Sequence, residues 1–284
     1  KARDTQPGER QAIRIATSRD GTRIAFATSG AGPVLLRAGH FLTHLERDWS
    51  SPVWRPMLDR LATGRRLVRF DQRGTGLSDP HPPSLTLDAM VADLTAVADA
   101  AGADRAPIFA ASQGVPVAIA FAAACPDRVS RLVLYGGFCT GRRVGANEAE
   151  RARADAVLTL LREGWGQLGS AFATAFATLY MPDADHEKIA SMTEMQLASA
   201  NPDMAAALRM AIDGFDVREL LSQVQAPTLV LHMQDDAVQP CEQARQIASG
   251  IPGAELRIFK GRNHVPLPGR PEWDAIMDAT DEFL

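Results

Sequence analysis

Cysteine is scarce in this sequence, and its few cysteines form no recognisable pairing motif. Three occur among 284 residues, Cys125, Cys139 and Cys241, and no two of them stand in a C-x-x-C arrangement. An odd number of well-separated cysteines argues against the disulfide framework of small secreted domains. We therefore expect free thiols in a reducing compartment, which indicates a cytoplasmic protein.

An excess of charge of either sign is also missing. The chain has 30 Lys and Arg residues against 34 Asp and Glu residues, a net charge of −4. Proteins that bind nucleic acid or anionic membranes usually carry a basic surface, so neither partner is expected. The first residues, KARDTQPGERQ, are charged and contain no apolar segment, so the sequence as given predicts no signal peptide.

The chain has no uninterrupted apolar run that would cross a membrane. The most apolar stretch, Ala106–Pro126, has the length of a span, but Ser112, Gln113, Gly114 and Pro116 stand near its middle. A spanning helix needs about 20 mostly apolar residues in succession. The stretch divides more naturally into a buried strand over residues 107–111, a sharp turn at Ser112 and an apolar helix over residues 115–124. No membrane partner is expected.

Predicted strands and helices alternate along most of the chain, and 46% of its residues are hydrophobic. This pattern predicts an α/β fold, with a mostly parallel central sheet covered by helices on both faces. An opening hairpin around Asp20-Gly21 adds an antiparallel edge. The later predicted strands are residues 34–37, 67–71, 107–111, 132–135, 228–232 and 255–259, and the predicted helices are 52–62, 87–101, 115–124, 242–249 and 271–284.

One region breaks the alternation. Between about Thr140 and Gln225 the strand signals disappear and the composition becomes rich in Ala, Met, Arg and Glu. We interpret residues 139–225 as a helical cap inserted into a core domain made of residues 1–138 and 226–284. The predicted cap helices are Glu148–Glu163, Trp165–Leu179, Asp185–Ala200 and Met204–Ile212.

Ser112 is the candidate nucleophile. It lies between a predicted strand and helix in the stretch Ala110-Ala-Ser-Gln-Gly114, where small residues let the helix approach the strand. A helix N-cap serine is the alternative interpretation. A serine hydroxyl needs a neighbouring base, and His264 follows the last predicted strand. Asp235 and Asp236 follow the strand before it, so all these side chains are expected at the carboxyl edge of one sheet.

Several stretches together resemble the α/β-hydrolase superfamily. The loop Asp71–Asp79 resembles its D-x-R-G-x-G-x-S-D motif, and residues 110–114 resemble its nucleophile elbow, with alanine in place of the first glycine. Residues 227–240 resemble its acid segment, with Met233 in place of a glycine, and residues 261–264 its histidine loop. The resemblance implies that Ser112, Asp236 and His264 form the catalytic set, with Asp235 as the fallback.

The resemblance also implies where an oxyanion would bind. The backbone N–H of Gln113, directly after the nucleophile, is one expected donor. The second donor normally follows a His-Gly pair; here Ala38 replaces that histidine, and His40 takes the donor position. We considered a metal site of His40, His44, Glu46 and Asp48, but no second ligand cluster accompanies it. No metal and no cofactor are expected.

These residues predict a serine hydrolase that cleaves a small or medium hydrophobic carboxylic ester through an acyl-enzyme on Ser112. Serine at the elbow argues against the aspartate-based chemistry of haloalkane dehalogenases and epoxide hydrolases. The segment 42–54 resembles hydrolase modules of bacterial signalling proteins, so a ligand-sensing domain with little catalysis stays open, as do carbon–carbon bond hydrolysis, perhydrolysis and acyl transfer.

The expected substrate-binding residues are Phe41, Trp165, Phe172, Phe176 and Met195, with Tyr180 and other methionines of the cap nearby.

Overall fold

An eight-stranded sheet forms the centre of the computed structural model, which describes residues 10–165 and 170–284. The strand order is β1-β2-β4-β3-β5-β6-β7-β8. The first pairings, β1 with β2 and β2 with β4, are antiparallel, and all later pairings are parallel. The strands are β1 (Ala12–Thr17), β2 (Arg23–Ser29), β3 (Val34–Ala38), β4 (Arg66–Phe70), β5 (Ala106–Ala111), β6 (Val129–Tyr135), β7 (Thr228–Met233) and β8 (Glu255–Phe259).

Helices follow most of the strands, and four of them lie in succession between β6 and β7. No helix within the described ranges combines the length and the apolar character that crossing a bilayer would require. The helices are α1 (Leu45–Ser50), α2 (Arg55–Ala62), α3 (Leu87–Ala100), α4 (Gly114–Ala124), α5 (Glu148–Gly164), α6 (Ala171–Tyr180), α7 (His186–Ser199), α8 (Pro202–Ile212), α9 (Cys241–Gly250) and α10 (Pro271–Phe283). Helices α5–α8 are called the inserted helices below.

The predicted fold class is confirmed, since the sheet is mostly parallel with an antiparallel hairpin at one edge. One helix was not predicted, and one predicted helix was wrong in its first residue. The short helix α1 was not predicted, because six residues are too few to show a helical period. The predicted helix Trp165–Leu179 begins later, at Ala171, where the Ser170 side chain caps the first turn, and Trp165 has an extended backbone after α5. Residues 166–169 of that prediction lie outside the described residues.

The predicted domain boundaries remain a prediction. The first nine residues of the predicted core domain also lie outside the described part of the chain. Within the described part, the inserted helices occupy the interval assigned to the cap.

Burial on both faces explains the apolar stretch that contains Ser112. Strand β5 lies between β3 and β6 in the middle of the sheet, and every residue of α4 from Gly114 to Ala122 is buried. A Cβ atom at Gly114 would lie only 2.7 Å from the carbonyl oxygen of Gly39. Glycine at this position therefore lets the start of α4 pack directly against the chain that leaves β3.

The strand order brings four chain segments to one edge of the sheet. The chain passes from β3 to β4 on one side and then crosses back to β5 on the other, which places a topological switch point at the carboxyl ends of β3 and β5. Ligands of open α/β sheets bind in the crevice at such a point. His40 follows β3 and Ser112 follows β5, while Asp236 and His264 follow β7 and β8 at the same edge.

A buried ion pair holds the loop after β4 against α3. The Arg73 guanidinium is fully buried and lies 2.6 Å from the Asp93 carboxylate of α3. Its other donors reach the Asp20 carboxylate at 2.8 Å and the carbonyl oxygen of Ser84 at 2.7 Å. The loop that carries the D-x-R-G motif is thus tied to the opening hairpin and to α3.

We predict that Asp93→Asn lowers the free energy of unfolding by about 3 kcal/mol, because it leaves the buried Arg73 guanidinium with only the partly exposed Asp20 carboxylate as its charged partner. The matched control is Asp99→Asn, on the same helix, whose carboxylate is 61% exposed and pairs with Arg128. That change should cost less than about 1 kcal/mol. Urea unfolding at neutral pH measures both values, and equal losses would contradict the structural role of Asp93.

Candidate active site

Ser112 sits on a strained turn between β5 and α4. Its φ angle is +52°, and Leu42, at +59°, is the other non-glycine residue in the left-handed region among those described. The Ser112 N–H donates to the carbonyl oxygen of Tyr135 at 2.9 Å, and its own carbonyl oxygen accepts from the Val115 N–H at 3.1 Å. These bonds fix the turn from both sides and leave the hydroxyl at the rim of the sheet.

The Ser112 hydroxyl lies within hydrogen-bond distance of an imidazole that is itself held by a carboxylate. The distance from Ser112 Oγ to His264 Nε2 is 2.9 Å, and His264 Nδ1 lies 2.7 Å from Asp236 Oδ2. His264 is 3% exposed and Ser112 and Asp236 are 9% exposed, so water is largely excluded. A base positioned in this way can take a proton from the hydroxyl.

Asp236 is kept ionised by its surroundings. Burial alone would raise the pKa of this carboxyl. The adjacent His264, together with the backbone N–H groups of Val238 and Gln239 at 2.7 and 3.0 Å, outweighs burial and holds the pKa below its ordinary value. The alternative acid, Asp235, is exposed, and its backbone N–H donates a hydrogen bond to the carbonyl oxygen of Gly261. The structure therefore brings Asp236, and not Asp235, to the histidine.

The two residues expected to supply oxyanion N–H groups lie close to the carboxyl ends of β5 and β3. Gln113 directly precedes α4, and His40 follows the end of β3. Neither N–H has a hydrogen-bond acceptor within the described ranges. The Gln113 side chain donates to the side chain of Gln72, which turns it away from the serine. The amino-terminal end of α4 adds a favourable dipole for negative charge at this place.

A cavity with about 440 Å³ of space, including its open mouth, lies over Ser112 and His264. Of the predicted substrate-binding residues, Phe41 and Phe176 line it. Trp165, Phe172 and Met195 do not belong to its described lining, and their role in substrate binding remains a prediction. Trp165 and Phe172 contact the ring of the lining residue Phe176, with ring centroids 5.5 and 6.1 Å apart, and the Met195 side chain is buried at 1% exposure.

Several residues of this lining were not predicted from the sequence, because no motif marks them. Tyr135 ends β6 and Val265 follows His264, so the rule that sites form at carboxyl ends of strands was a usable signal for both. Trp54 and Gln196 gave no such signal, because the tertiary fold alone brings them to the site. The remaining lining residues are Met57, Ala111, Tyr180, Met192 and Pro266.

The described residues contain no group of three or more His, Cys, Asp and Glu side chains arranged to hold a metal ion. Asp48, a member of the metal set considered above, is 1% exposed and lies 3.5 Å from the Arg69 guanidinium. Burial raises the pKa of Asp48 to about 6, although the nearby arginines act in the opposite direction.

The sheet topology and the three side chains at its carboxyl edge define the chain as a member of the α/β-hydrolase superfamily. Residues 56–268 match the family described as serine aminopeptidase, S33. The chain belongs to this family and is a hydrolase by that membership.

Named relatives and solved structures extend this comparison. The protein assigned as carbamate hydrolase RutD of Azorhizobium caulinodans is 31% identical over 244 residues, which cover 80% of this chain and 82% of that protein. The pimeloyl-(acyl-carrier protein) methyl ester esterase of Nitrosomonas europaea is 27% identical, with coverage of 88% and 95%. The crystal structure of an esterase from a Rhodococcus species aligns with a TM-score of 0.78 at 25% identity, over 95% of this chain and 98% of that one.

The strain at Ser112 generates a prediction on stability. Replacement by Ala and replacement by Gly both remove the hydroxyl and its bond to His264, so the comparison isolates the backbone. Because a left-handed conformation costs an L-residue about 1–2 kcal/mol and glycine adopts it freely, Ser112→Gly should be more stable than Ser112→Ala by about 1 kcal/mol. Chemical denaturation of the two variants measures the difference, and an Ala variant at least as stable as the Gly variant would refute strain at this turn.

Proposed function

We propose that the protein hydrolyses carboxylic esters of small molecules through an acyl-enzyme formed on Ser112. The observation that carries the proposal is the continuous contact from Ser112 Oγ through the His264 ring to the Asp236 carboxylate, at 2.9 and 2.7 Å. Esterases among the relatives and the structural neighbours support the same class of reaction.

The proposed steps follow from this geometry. Ser112 Oγ attacks the ester carbonyl while His264 Nε2 takes the hydroxyl proton, and Asp236 stabilises the imidazolium that forms. The oxyanion accepts hydrogen bonds from the N–H groups of Gln113 and His40. When the tetrahedral intermediate collapses, His264 gives its proton to the departing alcohol. His264 then deprotonates a water molecule that attacks the acyl-enzyme, and the carboxylic acid leaves with Ser112 restored.

The lining of the cavity favours a neutral ester over a peptide with a free amino terminus. An aminopeptidase has to bind an ammonium group, and a carboxylate is the usual partner of such a cation. The described lining contains no Asp, Glu, Lys or Arg side chain, and the nearby Asp236 is already engaged by His264. A charged substrate would lose its hydration in this cavity without compensation.

The inserted helices form one wall of this proposed site. Phe176 and Tyr180 of α6 and Met192 and Gln196 of α7 line the cavity together with Ser112. The Tyr180 ring also meets the His264 ring edge-on, with centroids 5.3 Å apart. We assign the interval 139–225 the role of a cap that selects the substrate and limits the access of water.

Ser112→Ala should reduce turnover of p-nitrophenyl butyrate to the background rate, because no other described group occupies the position of the nucleophile. A fluorophosphonate probe should label the wild-type protein at Ser112 and leave this variant unlabelled, as mass spectrometry of the labelled peptide would show. Ser222→Ala, at an exposed serine in a 3₁₀ helix remote in sequence from the site, is the control and should behave as wild type. A wild-type protein that neither turns over esters nor reacts with the probe would favour the ligand-sensing alternative.

Asp236→Asn should lower kcat by about 10⁴-fold, because an amide at this position favours the imidazole tautomer that cannot accept the serine proton. Asp235→Asn is the matched control. It changes the adjacent, exposed carboxylate and should leave kcat within a factor of about two, since a surface substitution seldom perturbs a site it does not touch. Steady-state kinetics with one p-nitrophenyl ester decides between them, and the opposite ranking would transfer the acid role to Asp235.

A further inference from the structure

The cavity over Ser112 is mostly apolar, yet four of its lining residues present buried polar atoms without a hydrogen-bond partner in the described part of the chain. Native proteins leave few buried polar atoms unsatisfied, so these four are available to polar groups that enter the cavity. The atoms are His40 Nε2, Trp54 Nε1, Tyr135 Oη and Gln196 Oε1.

The protonation state of His40 is fixed by its neighbour. An Arg37 guanidinium nitrogen lies 3.0 Å from His40 Nδ1. A guanidinium only donates hydrogen bonds, so Nδ1 must accept, and the neutral ring then carries its hydrogen on Nε2. Burial, and next the positive charge of Arg37, hold the pKa of His40 far below its ordinary value, so the ring stays neutral. His40 Nε2 is thus a buried N–H donor in the lining of the cavity.

A second donor stands on a neighbouring ring. The Trp54 indole stacks on the His40 imidazole, with centroids 4.0 Å apart and planes inclined by 19°. Trp54 Nε1 can only donate, so the two stacked rings offer two N–H groups to an oxygen acceptor. On the side of the inserted helices, Gln196 of α7 is 1% exposed, and its unsatisfied amide oxygen is an acceptor rather than a third donor.

We propose that His40 and Trp54 form a polar subsite for an ester that carries a second, neutral oxygen acceptor beside its scissile carbonyl. An ether, carbonyl or hydroxyl oxygen would accept from His40 Nε2–H or Trp54 Nε1–H. His40 would bind both oxygens of the substrate, the carbonyl oxygen through its backbone N–H and the second acceptor through its side chain. The two oxygens must therefore lie close together in the ester. The inference rests on the proposed function and replaces the expectation of a wholly hydrophobic ester.

Pairs of isosteric esters test this subsite, because one methylene group is exchanged for an ether oxygen. One pair differs in the acyl part, p-nitrophenyl methoxyacetate and p-nitrophenyl butyrate. The other differs in the alcohol, 2-methoxyethyl acetate and butyl acetate. The kcat/KM of each ester is divided by the rate constant of its hydroxide-catalysed hydrolysis, which corrects for intrinsic reactivity. The corrected value should be about 3- to 10-fold higher for the ether member of at least one pair, because one hydrogen bond contributes a net free energy of that size. No preference in either pair would overturn the subsite while leaving the esterase activity in place.

The His40→Phe variant should lower the preference at least twofold. It keeps the backbone N–H and the ring that stacks on Trp54 but removes the Nε2–H donor. Met57→Leu changes an apolar residue of the same lining and should preserve the ratio within each pair. Should His40→Phe fail to fold, Trp54→Phe removes the second donor, and the ratio should fall at least twofold. An unchanged ratio in every folded variant would overturn the assignment.

Binding and nuclear magnetic resonance test the subsite without turnover. In the Ser112→Ala protein, ¹⁵N spectra of histidine should show His40 as the neutral Nε2–H tautomer, with assignment by its loss in His40→Phe. Methyl methoxyacetate should shift its Nε2 resonance and bind more tightly than methyl butyrate. A charged ring or an Nδ1–H tautomer would overturn the subsite. Tighter binding of the ether together with a wild-type protein that cleaves no ester would retain the subsite and reject the proposed function.

Discussion

The left-handed backbone of Ser112 is the constraint on which the site depends. A strand that continued straight would leave this hydroxyl in the sheet, whereas the sharp turn presents it at the rim. Such strain persists only where the surroundings over-determine it. Here β5 lies in the middle of the sheet, α4 is buried from Gly114 to Ala122, and Gly114 packs against the carbonyl oxygen of Gly39. The apolar packing of one helix thus stabilises both the turn at Ser112 and the neighbouring loop after β3.

The pKa values of buried carboxylates near this edge differ because the partners of these carboxylates differ. Asp236 receives two backbone N–H groups and a histidine, and its pKa lies below the ordinary value despite burial. Asp48 has the Arg69 guanidinium at 3.5 Å instead, and burial outweighs it and raises the pKa of Asp48 to about 6. Burial also lowers the pKa of Arg37 to about 10. This guanidinium therefore stays protonated at neutral pH, and it donates a hydrogen bond to His40 Nδ1. Burial shifts each pKa towards the neutral form, and only at Asp236 do a close histidine and two N–H groups reverse that shift.

Much of the fold was predictable because its elements carry strong local patterns. Helix α3 has a clear apolar face, a Thr86 cap and a following glycine, and its observed range, Leu87–Ala100, differs from the prediction by one residue. Strand β5 and helix α4 were predictable from the break in an apolar stretch. The short helix α1 and the start of α6 were not, because a helix of six residues shows no period and Trp165 is placed by its bond to the carbonyl oxygen of Ala200.

The sequence by itself determined which side chains meet at the sheet edge. In a parallel sheet, residues that directly follow strands share one rim, so the positions of Ser112, Asp236 and His264 after their strands were sufficient. Only the tertiary structure decided which side chains line the cavity and what they offer. Gln196 comes from the inserted helices, and the hydrogen on His40 Nε2 depends on a contact with Arg37. Such contacts depend on how helices and loops pack, and local sequence patterns do not encode that packing.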